Sequence, residues 1–448
     1  MQRSRGLRLF VGRGILSLCL LAVGMAFCFW PRPQLNVILI TLGTTRADRI
    51  GCYGYQPAQT PALDALARRG ALFERAYSSV PLTLPAHATI FTSLYPPEHG
   101  LHVDGTNRLG SDIPVLAEFL KVANYDTGAF LSAFALNAKF GLNRGFDIYD
   151  DALTASNIEG SDSQRRDGVS VMDAALGWLK ARRARPFFCW IHFSDPHFPY
   201  DARPETFGDT FTERPYDAGI AYADLQVGRL TEFLQSHELS ERTLIVVVGD
   251  HGEGLMEHGE LQHGMQLYNS TLHVPLIVAG PDFIQPGVRP AVPVSHVDVA
   301  PTILCSLGIG PLQTRYRGTP LIPALAGHEI RPRVFHIETH LPFAKKREAA
   351  LVGLVTAGWK YIPGAHPELY NLERDPGETN NVVTTETSQF KKFADWFRRG
   401  QFNMEPHNAP VAHLTSAEAL ILRREEPAAA GSAGDADRPL SDAPPNAQ

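Results

Sequence analysis

The chain has 448 residues, 44% of them hydrophobic and 20% charged, with a formal net charge of -6. This composition excludes a disordered chain, and the lack of a basic stripe argues against nucleic acid as a partner. The length fits one large α/β domain with a smaller appendage, or two to three average domains.

Arg3, Arg5, Arg8 and Arg13 precede an uncharged apolar run from Ile15 to Trp30. A basic end followed by such a run is an export signal with its positive end held inside. Its sixteen residues are short for a membrane span and long for the apolar part of a cleaved signal. Gly24 and Ala26 offer a small-residue cleavage site, whereas Phe29, Trp30 and Pro31 fit an interfacial stop, which favours an uncleaved anchor over residues 1–33. The rest is expected on the extracytoplasmic (periplasmic) side, anchored to the membrane or secreted after cleavage. Cys19 and Cys28 lie in the apolar run; Cys52, Cys189 and Cys305 have no metal-ligand spacing and are expected to be free, buried thiols.

Asn36 to Leu42 (NVILITL) is a continuous apolar run, the pattern of a strand covered on both faces of a parallel sheet. Thr60-Pro61 supplies a helix start, LDALARR continues at helical spacing, and Gly70 ends it. The alternation continues with a helix near Val171 to Arg183, a strand at Phe187 to Phe193, a helix near Asp224 to Gln235 and strands at Thr243 to Val248 and Val274 to Ala279. This order predicts a three-layer αβα domain over residues 34–330 with a mostly parallel sheet, its ligand site beyond the strands' carboxyl ends. Shorter segments at Val334 to Glu338, Ala349 to Thr356 and Trp359 to Ile362, with a turn at Gly358, predict a small antiparallel C-terminal subdomain over 331–405. From Glu425 to residue 448 the Ala, Gly, Ser and Pro-rich tail is expected to be disordered.

Past the Val246 to Val248 strand, Gly249-Asp250-His251-Gly252-Glu253-Gly254 sets a carboxylate beside an imidazole, a pair suited to a divalent cation. The longer stretch GDHGEGLMEHGELQHGMQLYNSTLHVPLIVAGP resembles a segment of the sulfatase family, in the alkaline-phosphatase-like superfamily. NVILITLGTTRADRIGCYGY, TPALDALARRGALFERAYSSVPLTLPAHATIFTSLYPPEHG, IHFSDPHFPY and GWKYIPGAHPELYNLERDPGETNN resemble further family motifs, so the resemblance covers roughly residues 36 to 381.

The resemblance implies an exported hydrolase whose nucleophile attacks the sulfur or phosphorus of an ester. It places Thr83 at the nucleophile position, directly before a helical stretch whose first N–H groups are expected to favour an anion. Formylglycine-using relatives have Cys or Ser followed by x-Pro-x-Arg, whereas this chain has Thr83 with His87 in the arginine position. Threonine cannot become formylglycine, so Thr83 is expected to act directly, which tilts the chemistry toward phosphorus. The resemblance also gives Asp250, His251 and Thr83 as metal ligands, and His197 and His263 as residues that bind the transferred group or assist its departure. Arg46 and His87 are candidates for holding the substrate anion.

A second departure is Gly43, which stands where the family pattern has an Asp ligand. Asp48 is close in sequence, but the resemblance gives it a structural role, and a water-bridged ion on Thr44 and Thr45 stays open. The cofactor implied is Ca2+, with Mn2+, Mg2+ and Zn2+ open, weakly held by a single carboxylate. Gly43→Asp is expected to restore affinity if only the ligand is missing. The alternatives are a pseudosulfatase that binds an anionic ligand without turnover and a phosphoryl-group transferase at the membrane; the partners are a small-molecule, glycan or lipid ester and the membrane itself. His99, His102 and His258 rank below these residues, and Asp298 reads as a helix N-cap.

Overall fold

The computed structural model describes residues 34–153, 165–181, 185–309 and 316–398. The expected anchor, the tail from Glu425 and most of the segment from Ser156 to Arg166 lie outside them. Among the described residues no helix is long and apolar enough to cross a membrane.

Seven strands form the main sheet: β1 (Asn36–Leu42), β2 (Ala71–Leu72), β4 (Asp126–Phe130), β5 (Ile148–Asp150), β6 (Phe187–Phe193), β7 (Thr243–Gly249) and β9 (Leu276–Ala279). Their order is β2-β9-β7-β1-β6-β4-β5. β1 lies between β7 and β6 and runs parallel to both, with Leu42 beside Gly249 on one side and Phe193 on the other. β9 runs antiparallel to both neighbours, β7 and β2, opposite to the other six strands.

Three layers follow from β1 itself. Val37 and Leu39 pack into one core with the Thr83–Thr92, Leu116–Val122 and Val299–Ser306 helices; Ile38, Ile40 and Leu42 pack into another with Pro61–Arg69, Gly168–Ala181 and Pro215–Ser236. Alternate side chains of a strand point to opposite faces, so a strand apolar at every position needs helices on both. Each fully buried Leu, Ile or Val contributes about 1.5–3 kcal/mol of transfer free energy.

The expected strand Val274 to Ala279 is two strands, because Pro275 cannot donate to a ladder. β8 (His273–Val274) pairs antiparallel with β3 (Ala76–Tyr77), whose other neighbour is β10 (Val294–Ser295), while β9 returns to the main sheet. The Pro215–Ser236 helix begins nine residues before the Asp224 expected from the sequence, with proline in its first turn. Cys189 is buried, but Cys52 is half-buried and Cys305 exposed, so burial of all three thiols is not found.

A separate four-stranded antiparallel sheet follows: β11 (Phe335–Thr339), β12 (Leu351–Thr356), β13 (Trp359–Ile362) and β14 (Glu368–Asn371). The Thr387–Arg398 helix packs Phe390 and Phe393 onto Tyr361 and Leu369 of this sheet. Lys360 and Glu378 form a buried ion pair at 2.7 Å on its flank. Glu338 accepts hydrogen bonds from His102 at 2.6 Å and His336 at 2.7 Å, tying β11 to the main domain.

Candidate active site

The carboxyl ends of β7, β1 and β6 lie side by side, and the candidate residues leave from them. Asp250 follows β7, its N–H bonded to the Leu42 carbonyl at 3.1 Å, and Gly43 follows β1, its N–H bonded to the Phe193 carbonyl at 2.7 Å. Thr44 sits in the left-handed region at φ 49°, which costs a β-branched residue about 1–3 kcal/mol. That turn aims its N–H at Asp250 Oδ1, 3.0 Å away. The hydroxyls of Thr44 and Thr45 both turn onto the Gly43 carbonyl.

Thr83 opens the Thr83–Thr92 helix, every residue of which is buried. Its Oγ1 lies 3.3 Å from Nε2 of His251. His251 Nδ1 is 2.9 Å from the Gly252 carbonyl, and a carbonyl only accepts. Nδ1 therefore carries the proton, and the Nε2 lone pair faces the Thr83 hydroxyl. The His251 and His263 rings are 4.3 Å apart, and His263 and His197 are 5.3 Å apart. The structure thus brings Thr83, Asp250, His251, His263 and His197 into one group. His87, one helical turn after Thr83, lies on its inner side, with Nδ1 bonded to the Thr83 carbonyl at 2.7 Å and 3.8 Å from Asp250 Oδ2.

Burial dominates the electrostatics. It pushes the Asp250 and Glu253 carboxyls up to about 8, with backbone N–H donors opposing it at Asp250. It also holds His87, His197 and His263 well below the ordinary imidazole value, reinforced by neighbouring histidines and, at His197, by Arg165. His197 Nδ1 lies 2.6 Å from the Phe198 carbonyl and donates to it, so the neutral ring presents a lone pair on Nε2, which donates only when the ring is protonated. His263 Nδ1 is held at 3.0 Å by Glu253 Oε1.

Two sequence expectations are corrected. The first N–H groups of the Thr83–Thr92 helix are not open to an anion: those of Thr83 and Leu84 bond the Asp104 carboxylate at 3.3 and 2.6 Å, and residue 85 is proline. Arg46 does not face a substrate either. Its buried guanidinium is committed to Asp48 at 2.8 and 2.7 Å, to Glu257 at 2.8 Å and to the Glu253 carbonyl at 3.2 Å. Asp48 is the ion-pair partner of Arg46. Asp298 grips Arg333 with both oxygens and makes no side-chain cap to the Val299–Ser306 helix.

A sulfatase family model matches residues 35–309. The chain belongs to the sulfatase family. An arylsulfatase K of Xenopus laevis is 25% identical over 408 residues, covering 72% of this chain and 74% of that protein. A choline-sulfatase of Rhizobium meliloti is 26% identical over 438 residues, covering 78% and 83%. The fold is similar to that of a phosphonate monoester hydrolase of Agrobacterium radiobacter, at a TM-score of 0.69 and 21% identity over 86% of this chain and 99% of that one. Sulfatases generally bind a divalent metal, and candidate ligand groups for one are present here.

Three residues of this sulfatase site carried no sequence signal. His192 sits in FFCWIHF, where it reads as strand interior, yet it lies beside His87 with ring centroids 5.0 Å apart. Arg165 bonds the His197 carbonyl at 2.6 Å and, among the described residues, its buried Nη2 has no hydrogen-bond partner. Asp104 follows no motif, and only the fold brings it to the nucleophile helix.

Proposed function

We propose that this chain is an exported ester hydrolase that cleaves phosphate, phosphonate or sulfate esters through Thr83. The observation that carries the reading is the 3.3 Å contact between Thr83 Oγ1 and the proton-accepting Nε2 of His251, buried where three parallel strands end. As Oγ1 attacks phosphorus or sulfur, the hydroxyl proton passes to His251 and the bond to the leaving alkoxide breaks. The leaving alkoxide takes its proton from a water on the His197 and His263 side of the site, the hydroxide so formed cleaves the threonyl ester and releases the anion, and His251 returns the proton to Thr83 Oγ1. A divalent cation held at Asp250 beside Thr83 would supply Lewis-acid polarisation of the transferred group's oxygens, with His251 Nε2 kept for the Thr83 proton. A threonyl sulfate has no aldehyde-hydrate route for eliminating sulfate, so phosphorus esters are the better substrates. The choline-sulfatase and the phosphonate monoester hydrolase among its relatives and structural neighbours support both ester classes.

The test is turnover of aryl phosphate, phosphonate and sulfate esters by the full chain beside Thr83→Ala. Turnover that depends on Thr83 and is faster on phosphorus supports the reading; turnover indifferent to Thr83 sinks it. A folded wild type that turns over none of them supports the second reading, a binding-only relative, which the carboxylate missing at Gly43 favours. The basic and apolar N-terminus supports an extracytoplasmic position, anchored at the membrane, and protease protection in sealed membrane vesicles reads which side the domain occupies.

A further inference from the structure

Three buried polar atoms below Thr83 have no hydrogen-bond partner among the described residues: Nε2 of His87, Nε2 of His192 and Oδ2 of Asp250. Each of the three residues is 0% exposed. One donor atom from each lies within 4.8 Å of the other two. A buried carboxylate oxygen with no donor is costly, and the only ion-pair partners of Asp250 among the described residues are His87 and His251, both at 3.8 Å.

The rings are held as ligands are. His87 Nδ1 bonds the Thr83 carbonyl, and His192 Nδ1 lies 3.2 Å from the Thr41 carbonyl and 3.0 Å from its hydroxyl. With those protons on Nδ1, both Nε2 lone pairs are left without a donor among the described residues. A backbone carbonyl fixing one ring N–H while the other nitrogen stays bare is how proteins orient metal-binding histidines. Asp250 is arranged alike: Oδ1 takes the N–H groups of Thr44 and His251 at 3.0 and 2.6 Å, and Oδ2 is left over.

Gly43 explains why an imidazole can stand here. A Cβ at that position would come within 3.2 Å of His192 Cε1 and 3.0 Å of the Phe193 carbonyl oxygen. The side chain missing from position 43 and the ring of His192 compete for one volume.

We propose that His87, His192 and Asp250 form a divalent-metal site in which imidazole replaces the carboxylate absent at position 43, and that it selects Zn2+ or Co2+ over Ca2+. Two nitrogens and one oxygen, with a position left open, are the donor set of a zinc-type catalytic site. Calcium requires six to eight oxygens, which this pocket does not offer. The inference rests on the ester-cleaving reading above only in sharing Asp250 with it, and binding itself does not require turnover.

The test titrates the full chain, purified in detergent and stripped with chelator, with Co2+ and Zn2+ in the presence and absence of equal Ca2+. Co2+ visible absorption and metal analysis are the readouts. One equivalent bound, undisturbed by Ca2+, is expected. His192→Gln and His87→Gln are expected to weaken binding by about tenfold or more, while His102→Gln, in the separate His102, Glu338 and His340 group, leaves it unchanged. The proposal is overturned if Ca2+ displaces Co2+, if His192→Gln binds as the wild type does, or if His102→Gln alone removes the ion. Should the glutamine variants not fold, X-ray absorption at the zinc edge of the wild type counts imidazole ligands: two or more are expected, and none overturns the site. Stoichiometric Co2+ without ester turnover supports this proposal and overturns the hydrolase reading; Ca2+-driven turnover that is indifferent to His192 does the reverse.

Discussion

Thr83 Oγ1 and His251 Nε2 are 3.3 Å apart, joined across the two segments that the Thr83–Thr92 helix and strand β7 contribute. Thr83→Ser keeps a transferable proton at this spot and is expected to retain most turnover. Thr83→Val keeps the branched shape without the proton, and is expected to lower kcat by about 10^3-fold, the order such an acting pair supplies. Equal kcat for Val and wild type on phosphorus esters would remove Thr83 from the chemistry.

Gly43→Asp is not a simple repair. The new Cβ must displace His192 or the Phe193 carbonyl, from which it would stand 3.2 and 3.0 Å. We expect a loss of about 1–3 kcal/mol in stability from this overpacking, read by urea unfolding. Adding His192→Ala vacates the volume, and the double variant is expected to recover most of that loss and to bind Ca2+ better than the single one. Full stability in Gly43→Asp alone contradicts the crowding.

Glu338 gives the fold a pH dependence with a definite sign. Burial alone raises its carboxyl, but hydrogen bonds from His102 and His336 overcome this and hold it far below the ordinary glutamate value of 4.5. A depressed carboxyl stabilises the folded chain above its unfolded-state value, and the contribution fades as pH falls below that value. Glu338→Gln is expected to cost about 3 kcal/mol at pH 7, with a smaller gap from wild type at pH 4. Thermal unfolding of both proteins at the two pH values checks it, and a constant gap contradicts it.

Lys360 and Glu378 are an ion pair with 0% and 1% of their side chains exposed, and Lys360 also bonds Asn269 Oδ1 at 2.9 Å. Lys360→Met leaves a buried carboxylate unpaired and is expected to cost about 3–5 kcal/mol. The double variant Lys360→Met, Glu378→Leu is expected to regain most of it. Additive losses in a double-mutant cycle would show that the pair is not coupled.

What could be read from the sequence follows burial. β1 and β6 occupy the same residues expected from their unbroken apolar runs, and β7 extends one residue further, because strands covered on both faces carry their pattern in every position. β4 (DTGAF) escaped because it is short and carries Asp and Gly, and it owes its place to pairing between β6 and β5. Asp250 and His251 were visible because they follow a strand signal, and Thr83 was visible only through the family resemblance. His192 was hidden by the same apolar run that made β6 legible. The roles of Asp104 and Arg46 depend on contacts across the fold, which no local pattern announces.

The four-stranded sheet forms a wall of the site. Thr339 Oγ1 bonds the Gly264 carbonyl beside His263, Glu338 N–H bonds the Ser79 carbonyl, and Leu341 packs on Leu82 next to Thr83. During synthesis these residues emerge long after Thr83 and Asp250. A growing chain therefore carries Thr83 and Asp250 without this cover, which closes over them only once the later-made Phe335–Thr339 strand and Leu341 have docked.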